Sequence, residues 1–517
     1  MLALQLLSQV NLSDSDTVCT FFMVCVDTAI EFYEKAITQE LHSSCHQVTD
    51  AVTKLLIYLL RYDIAAQSTD TTNSDAQAVA TKRKPESQKT LLAIYLCLAT
   101  LLLARDHAVH TATFPSRQNA YFRIFGAYLF EFHRAYKAGE LSSAVYYHAL
   151  LVFAQALDMI QPLGTPGFSY AWLALLSHRH FFPKLLTSKE GWPLAEKLVV
   201  AQLRFLEPFI YLNDITEAVR FMYGYTVRFL LITLHDFPEF LADHAVALCN
   251  ATPVTCVQLR NLFLSAYSRD TVLPDPVAVS REQKPMPPMD SPPMIATDYL
   301  SVIEKAGIVG PLNAYLDDGN TESVAEVTEH LINAFSSPQF AIKVGSTSAA
   351  PGAPQTTRVG PRYSMALINS VVVHLGACVS ENHELVPEMR KLIYQLLTVL
   401  DAEGRYLVLT AIANQLRFPS SFTIIFSREL LWLFTNPPVD RICEQIIRVL
   451  VERVLANRPL PWGLLFTLSE LVRDPAYDAW AQKLSEETPQ IQEILNSVAE
   501  RVKRPFSAGA PSVSAAA

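Results

Sequence analysis

Apolar and polar positions alternate along most of the chain with helical spacing. From Cys443, apolar residues recur at Ile446, Ile447, Leu450, Val451 and Val454, while Glu444, Gln445, Arg448, Glu452 and Arg453 take the other face. That is the i, i+3, i+4, i+7 rhythm of an amphipathic helix with one wide buried stripe. The same rhythm predicts helices over 16–40, 46–67, 90–105, 141–160, 195–212, 215–234, 323–335, 365–379 and 385–400. Successive antiparallel pairs of about 35 to 45 residues, as in degenerate HEAT-like solenoids, are the expected unit of an all-α fold. Asp214 with Glu217 fits a capping box, and Thr488 before Pro489 fits an N-cap followed by proline at the first helical position. The longest apolar run, Leu91 to Ala104, is 14 residues. A spanning helix needs about 20, so the run reads as a core helix and no membrane contact is expected.

Three stretches break the pattern. Residues 68–89 are polar and contain Lys82, Arg83, Lys84 and Pro85; residues 270–293 are proline-rich; residues 343–361 are small and polar. They suggest a helical half over 1–269, a proline-rich linker over 270–294, a second helical half over 295–505 and a disordered tail over 506–517. The basic triplet reads as a solvated loop or a nuclear-import signal. The prolines read as a stiff spacer or a polyproline II ligand.

Composition narrows the class further. Half of the 517 residues are hydrophobic, 18% are charged, and mean hydropathy is +0.20, so apolar surface must be shared between helices or with another chain. Sixteen glycines are too few for a turn-rich all-β chain. A net charge of −9 without a basic stripe gives no support to direct nucleic-acid binding. Eight scattered cysteines contain no C-x-x-C pair and read as reduced thiols of a nuclear or cytosolic protein. The first residues lack the basic region of a secretory signal.

Candidate chemistry is sparse. His178 and His180 in SHRH would project about 200° apart on a helix and could not share a metal. Cys249 and Cys256 near His235 and His244 match no metal-ligand spacing. Asn382-His383-Glu384 lacks a second histidine, and Asp317-Asp318-Gly319 lacks calcium-loop spacing. No phosphate loop, dinucleotide fingerprint or nucleophile elbow occurs. No cofactor, metal or catalytic residue is therefore expected.

Four blocks carry a more specific signal: QPLGTPGFSYAWLALLSHRHFFPKLL at Gln161–Leu186, LHDFPEFLADH at Leu234–His244, CVQLRNLFLSAYSRDTVLPDP at Cys256–Pro276, and a composite of Glu403–Thr423 with Glu452–Trp480. In order and spacing they resemble the C-terminal NOT homology region of the large scaffold subunit of the CCR-NOT mRNA deadenylase complex. The resemblance runs from about Tyr121 to Arg501 and is weaker over the first 100 residues. It implies an all-helical HEAT-like superdomain, related to middle domains of translation-initiation scaffolds, without catalysis of its own. It also implies docking of the NOT-box subunit heterodimer and of short linear motifs from RNA-binding repressors, in support of deadenylation, decay and translational repression. The expected location is the cytoplasm, P-bodies included, and the nucleus. A generic helical-repeat adaptor in transport or translation initiation is the alternative. Two turn segments are candidate partner contacts: Asn414, Arg417, Phe418 and Pro419 in NQLRFP, and Asn457, Arg458 and Trp462 in NRPLPWG. Arg and aromatic anchors dominate binding hot spots; the competing reading is that these residues fix inter-helix turns. Trp462 is expected to be buried at a helix start, and Arg179 to be a structural ion-pair partner.

Overall fold

The structure, a computed structural model, describes residues 15–40, 45–65, 79–82, 85–109, 114–210, 215–282, 291–318, 323–336, 341–343, 357–359 and 362–487. The basic side chains of Lys82–Lys84, Asp214, residues 344–356, Thr488, Pro489 and the tail after Pro505 lie outside them. The described chain is helical apart from two short antiparallel hairpins, Tyr62–Ala65 with Val79–Lys82 and Ala341–Lys343 with Thr357–Val359. The all-α expectation holds.

Two compact units divide the chain: Met1–Leu206 with Thr216–Thr226, and Glu207–Ile215 with Val227–Ala517. In the first, each helix packs on the next but one. Ser15–Thr38 lies against Pro85–Val109, Gln47–Arg61 against Phe114–Lys137, and Pro85–Val109 against Ser143–Met159. Alternate helices therefore form two stacked layers, in which each apolar face is covered by a neighbour. The 14-residue apolar run sits inside Pro85–Val109, where Leu91, Leu92, Tyr95, Leu96, Ala99, Leu102 and Leu103 are buried. Ser87–Val109 is long and apolar enough to cross a membrane by length and composition, but this stripe is spent on packing.

Aromatic rings link the layers of this unit. Phe22 meets Tyr95 edge-on at 5.4 Å, Tyr128 stacks on Phe132 at 4.3 Å and on Phe153 at 5.6 Å, and Phe153 meets Phe181 at 4.8 Å. Such pairs contribute about 0.5–1.5 kcal/mol each beyond their buried area. The carboxylate of Asp106 is fully buried in this unit. Burial pushes its pKa up, but hydrogen bonds from Tyr121, Arg105 and Arg117 outweigh this and hold it below the usual carboxylate range.

The second unit repeats the next-but-one packing. Met365–Glu381 lies on Ala402–Ala413, Ala402–Ala413 on Ile442–Leu455, and Ser421–Thr435 on Trp462–Leu471. Side chains set the helix starts: Ser364 accepts from Leu367 N–H, Asp401 from Gly404 N–H and Ser420 from Thr423 N–H. Gly376 lets two helices approach, since a Cβ there would lie 2.8 Å from Phe426 Cε2. In the first unit, Glu217–Asp236 opens beside Thr216, whose Oγ1 accepts from Val219 N–H.

The described flanks of the proline-rich stretch pack within this unit. Asp275 Oδ1 accepts from Val277 N–H at 2.9 Å at the start of the helix Pro276–Glu282, and Val279 from that helix packs with Trp462 and Phe466. Ser291 O then accepts from Ser421 N–H, and Ala296 N–H donates to Asp243 O. Among the described prolines, Pro276 opens this helix at its first position, where its missing N–H is no loss; residues 283–290 lie outside the described residues.

Candidate functional site

NQLRFP leaves the helix Ala402–Ala413, and NRPLPWG joins Ile442–Leu455 to Trp462–Leu471. The fold presses them together. Gly463 N–H donates to Arg417 O at 2.6 Å. A Cβ at position 463 would lie 2.6 Å from Thr423 Cγ2 and 2.8 Å from the carbonyl carbon of Leu416, so only glycine allows this approach. Trp462 donates from Nε1 to Pro274 O at 2.7 Å and stacks on Phe466 at 5.2 Å. Pro461 is the residue before the helix, so Trp462 stands at the helix start.

Three buried arginines surround this junction. Arg453 donates from Nη2 to Thr410 O at 3.1 Å and to Asn414 Oδ1 at 2.7 Å, and from Nη1 to Ala413 O at 3.4 Å. Arg417 donates to Ala242 O and lies 5.0 Å over the Phe418 ring. Arg260 donates to Thr252 O at 2.9 Å. In each case the acceptors sit at or just past a helix C-terminus, where the helix dipole is negative. Burial holds Arg417 down to about 10; burial, then the nearby charge of Arg260, holds Arg453 down to about 9. Both remain cationic at neutral pH. Asparagines extend the network: Asn414 Nδ2 donates to Asn369 Oδ1, Asn369 to Asn250 Oδ1, and Asn261 to Arg453 O at 2.7 Å.

The candidates separate accordingly. Asn414, Arg417 and Trp462 are buried and engaged within the fold. Their hydrogen bonds brace inter-helix turns. Phe418 and Pro419 are half-buried, while Asn457 and Arg458 are exposed. Asn457 is braced by Gln258, which accepts from its N–H at 2.8 Å and donates to its carbonyl at 3.1 Å. Sequence periodicity missed Arg453, which it placed on the polar face, and gave no cue to Arg260 or Asn261.

Elsewhere in this unit a groove of about 460 Å³ lies between Val309–Asp318 and Ser323–Phe335, with Tyr315 and Val327 inside and Glu326, Glu329 and His330 among its lining. Among the described residues no group of three His, Cys, Asp or Glu side chains could hold a metal ion. Cys249 and Cys256 are both buried, and burial raises the Cys249 thiol.

Comparison with known proteins places this geometry. The family model described as CCR4-Not complex component, Not1, matches residues 129–499. The chain is 31% identical to the CCR4-NOT transcription complex subunit let-711 of Caenorhabditis elegans over 94% of its own length and 18% of that protein. It is 29% identical to the general negative regulator of transcription subunit 1 of Schizosaccharomyces pombe, over 98% of the chain and 22% of that protein. It therefore spans about a fifth of the length of these relatives. Among solved structures, the NOT1 superfamily homology domain of Chaetomium thermophilum matches with TM-score 0.77 and 25% identity, covering 95% of this chain and 90% of that one. A Not1 C-terminal domain in complex with Not4 shares the fold, with TM-score 0.70 and 23% identity over 91% of each chain.

Proposed function

We propose a docking scaffold, because the chain belongs to the Not1 family of CCR4-Not complex components and corresponds to its C-terminal homology region. The single observation that carries this reading is the family match over 129–499, which takes in the whole junction of NQLRFP and NRPLPWG. On this reading the chain is non-catalytic. It docks the NOT-box subunit heterodimer and receives short linear motifs of RNA-binding repressors, and so supports deadenylation, mRNA decay and translational repression in the cytoplasm, P-bodies included, and the nucleus. The neighbour solved with Not4 supports a further CCR4-Not subunit as partner. Exposed Asn457 and Arg458 and half-buried Phe418 and Pro419 are the residues of the junction that we assign to partner contact.

The test is co-purification of the whole chain with recombinant NOT-box heterodimer, followed by a poly(A)-shortening assay. Binding without shortening is expected. Arg458→Glu with Phe418→Asp should weaken binding while the melting temperature stays within a few degrees. Absence of NOT-box binding by the unaltered chain would overturn the reading, as would capture of transport receptors or an initiation helicase in place of NOT-box proteins.

A further inference from the structure

The SHRH stretch carries an arrangement that its spacing concealed. The helix Ser169–Leu176 ends at Ser177 and the next, Phe182–Leu185, begins after a turn, so His178 and His180 are not helical. In the turn, His180 N–H donates to His178 Nδ1 at 3.2 Å, and the two rings lie 5.3 Å apart. His133, from the helix Phe114–Lys137, stacks on His180 at 4.0 Å with its plane tilted by only 16°. Tyr146 Oη stands 3.0 Å from His133 Nδ1. All three imidazoles are half-buried.

The surrounding charges are of one sign. Lys137 from the long helix, Arg179 from the turn and Lys184 from Phe182–Leu185 all act on His133, and no carboxylate counters them at His133 or His178. Burial first, then the other two imidazoles, Arg179 and Lys184, hold His180 down to about 4. Lys137, Arg179 and Lys184 are exposed, and none has an ion-pair partner among the described residues. The concentration is unexpected in a chain of net charge −9. A purely structural cluster would gain by recruiting a carboxylate, as Asp106 recruits Arg105 and Arg117 in the same unit. This one gathers only groups that repel each other once protonated. Because His178 Nδ1 accepts a hydrogen bond, its neutral ring carries the proton on Nε2, which is therefore a donor.

We propose that His133, His178, His180, Lys137, Arg179 and Lys184 form a binding site for a phosphate monoester, presented as a phosphoserine or phosphothreonine on a partner protein. Arg179, Lys184 and Lys137 supply fixed positive charge, and the imidazoles supply N–H donors in charge-assisted hydrogen bonds. A single dianion fits the site better than a nucleic acid, which needs a stripe of cations along many phosphates. Binding takes up protons, since the dianion favours the imidazolium forms. Affinity should therefore rise as pH falls from about 7.5 to about 6.5, a range above the ligand's own second ionisation near 6.

The experiment uses the whole chain with carbon-13 at histidine Cε1, titrated with a short phosphoserine peptide, its unphosphorylated twin and a short oligouridylate, at about pH 7.5 and about pH 6.5. Expected are saturable shifts of the His133, His178 and His180 resonances with the phosphopeptide alone, and a tighter dissociation constant at the lower pH. Arg179→Ala with Lys184→Ala should weaken binding about tenfold or more, the worth of one charge-assisted contact, without moving the melting temperature. Lys137→Ala should give a smaller loss in the same direction. The proposal is overturned if the two peptides bind alike, if the double variant binds as well as the unaltered chain, or if oligouridylate binds more tightly through the same residues.

Discussion

Trp462 shows how a residue with the profile of a binding hot spot can be spent inside the fold. Its ring is 2% exposed, stacked on Phe466, with its N–H satisfied by Pro274. Trp462→Ala should cost about 3–5 kcal/mol, as for deletion of a large core aromatic, measured by urea unfolding. NOT-box binding per folded molecule should be unchanged; a selective loss of binding with stability intact would return Trp462 to the partner surface. Arg453 makes the complementary point. Replacing it with leucine strands Asn414 Oδ1 and removes a second donor from the carbonyls of Thr410 and Ala413, and an unpaired buried acceptor costs about 1–3 kcal/mol. A denaturation midpoint that falls with little change in slope is the expected result.

At the scale of elements, helix starts and close approaches decide the packing. Asp401 begins Ala402–Ala413, the helix whose far end Arg453 caps, by accepting Gly404 N–H at 2.9 Å. Asp401→Ala should therefore lower stability by about 1 kcal/mol. Asp401 also pairs with exposed Arg362, but such a surface pair is worth little, so Arg362→Ala should cost distinctly less. A comparison of the two melting temperatures separates cap from ion pair. Gly376 is the test of approach. Gly376→Ala puts a methyl 2.8 Å from Phe426 and 3.0 Å from Phe422, and overpacking of this kind costs about 1–3 kcal/mol.

For the whole molecule, part of the pH response comes from histidines kept neutral. Burial, then neighbouring cations, lowers His133 and His178, and His180 is held down to about 4. An unfolded histidine titrates near 6.5, so between about 6.5 and 4 the unfolded chain binds more protons than the folded one. Stability is therefore full above about pH 6.5 and declines as pH falls through that window. Melting temperatures should drop from pH 7 to pH 5, and His180→Gln should flatten the drop; an unchanged slope would count against a neutral cluster. The proposed scaffold association has a different signature. With apolar and backbone contacts dominant, it should survive moderate salt, unlike a phosphate-dominated complex.

Helix class, the position of most long helices and the family were legible in the sequence, because helical periodicity and short motif blocks are local properties of the chain. Ser323–Phe335 matches its predicted span, and Met365–Glu381 and Ile442–Leu455 differ from theirs by a residue or two. Contacts between distant segments were not legible. Gln258 and Asn457 are 199 residues apart, Trp462 and Pro274 188 apart, and Arg417 and Ala242 175 apart. No periodicity encodes which helix end will need a cation, so Arg453 reads as solvent-facing until Ala402–Ala413 delivers its carbonyls. The same holds for the histidines, which look incompatible on a helix and meet only because the chain turns at Ser177 beside His133. Sequence by itself determined which faces must be buried; tertiary structure decided what buries them, because unsatisfied helix ends and like charges take their meaning from neighbours that the chain supplies far away.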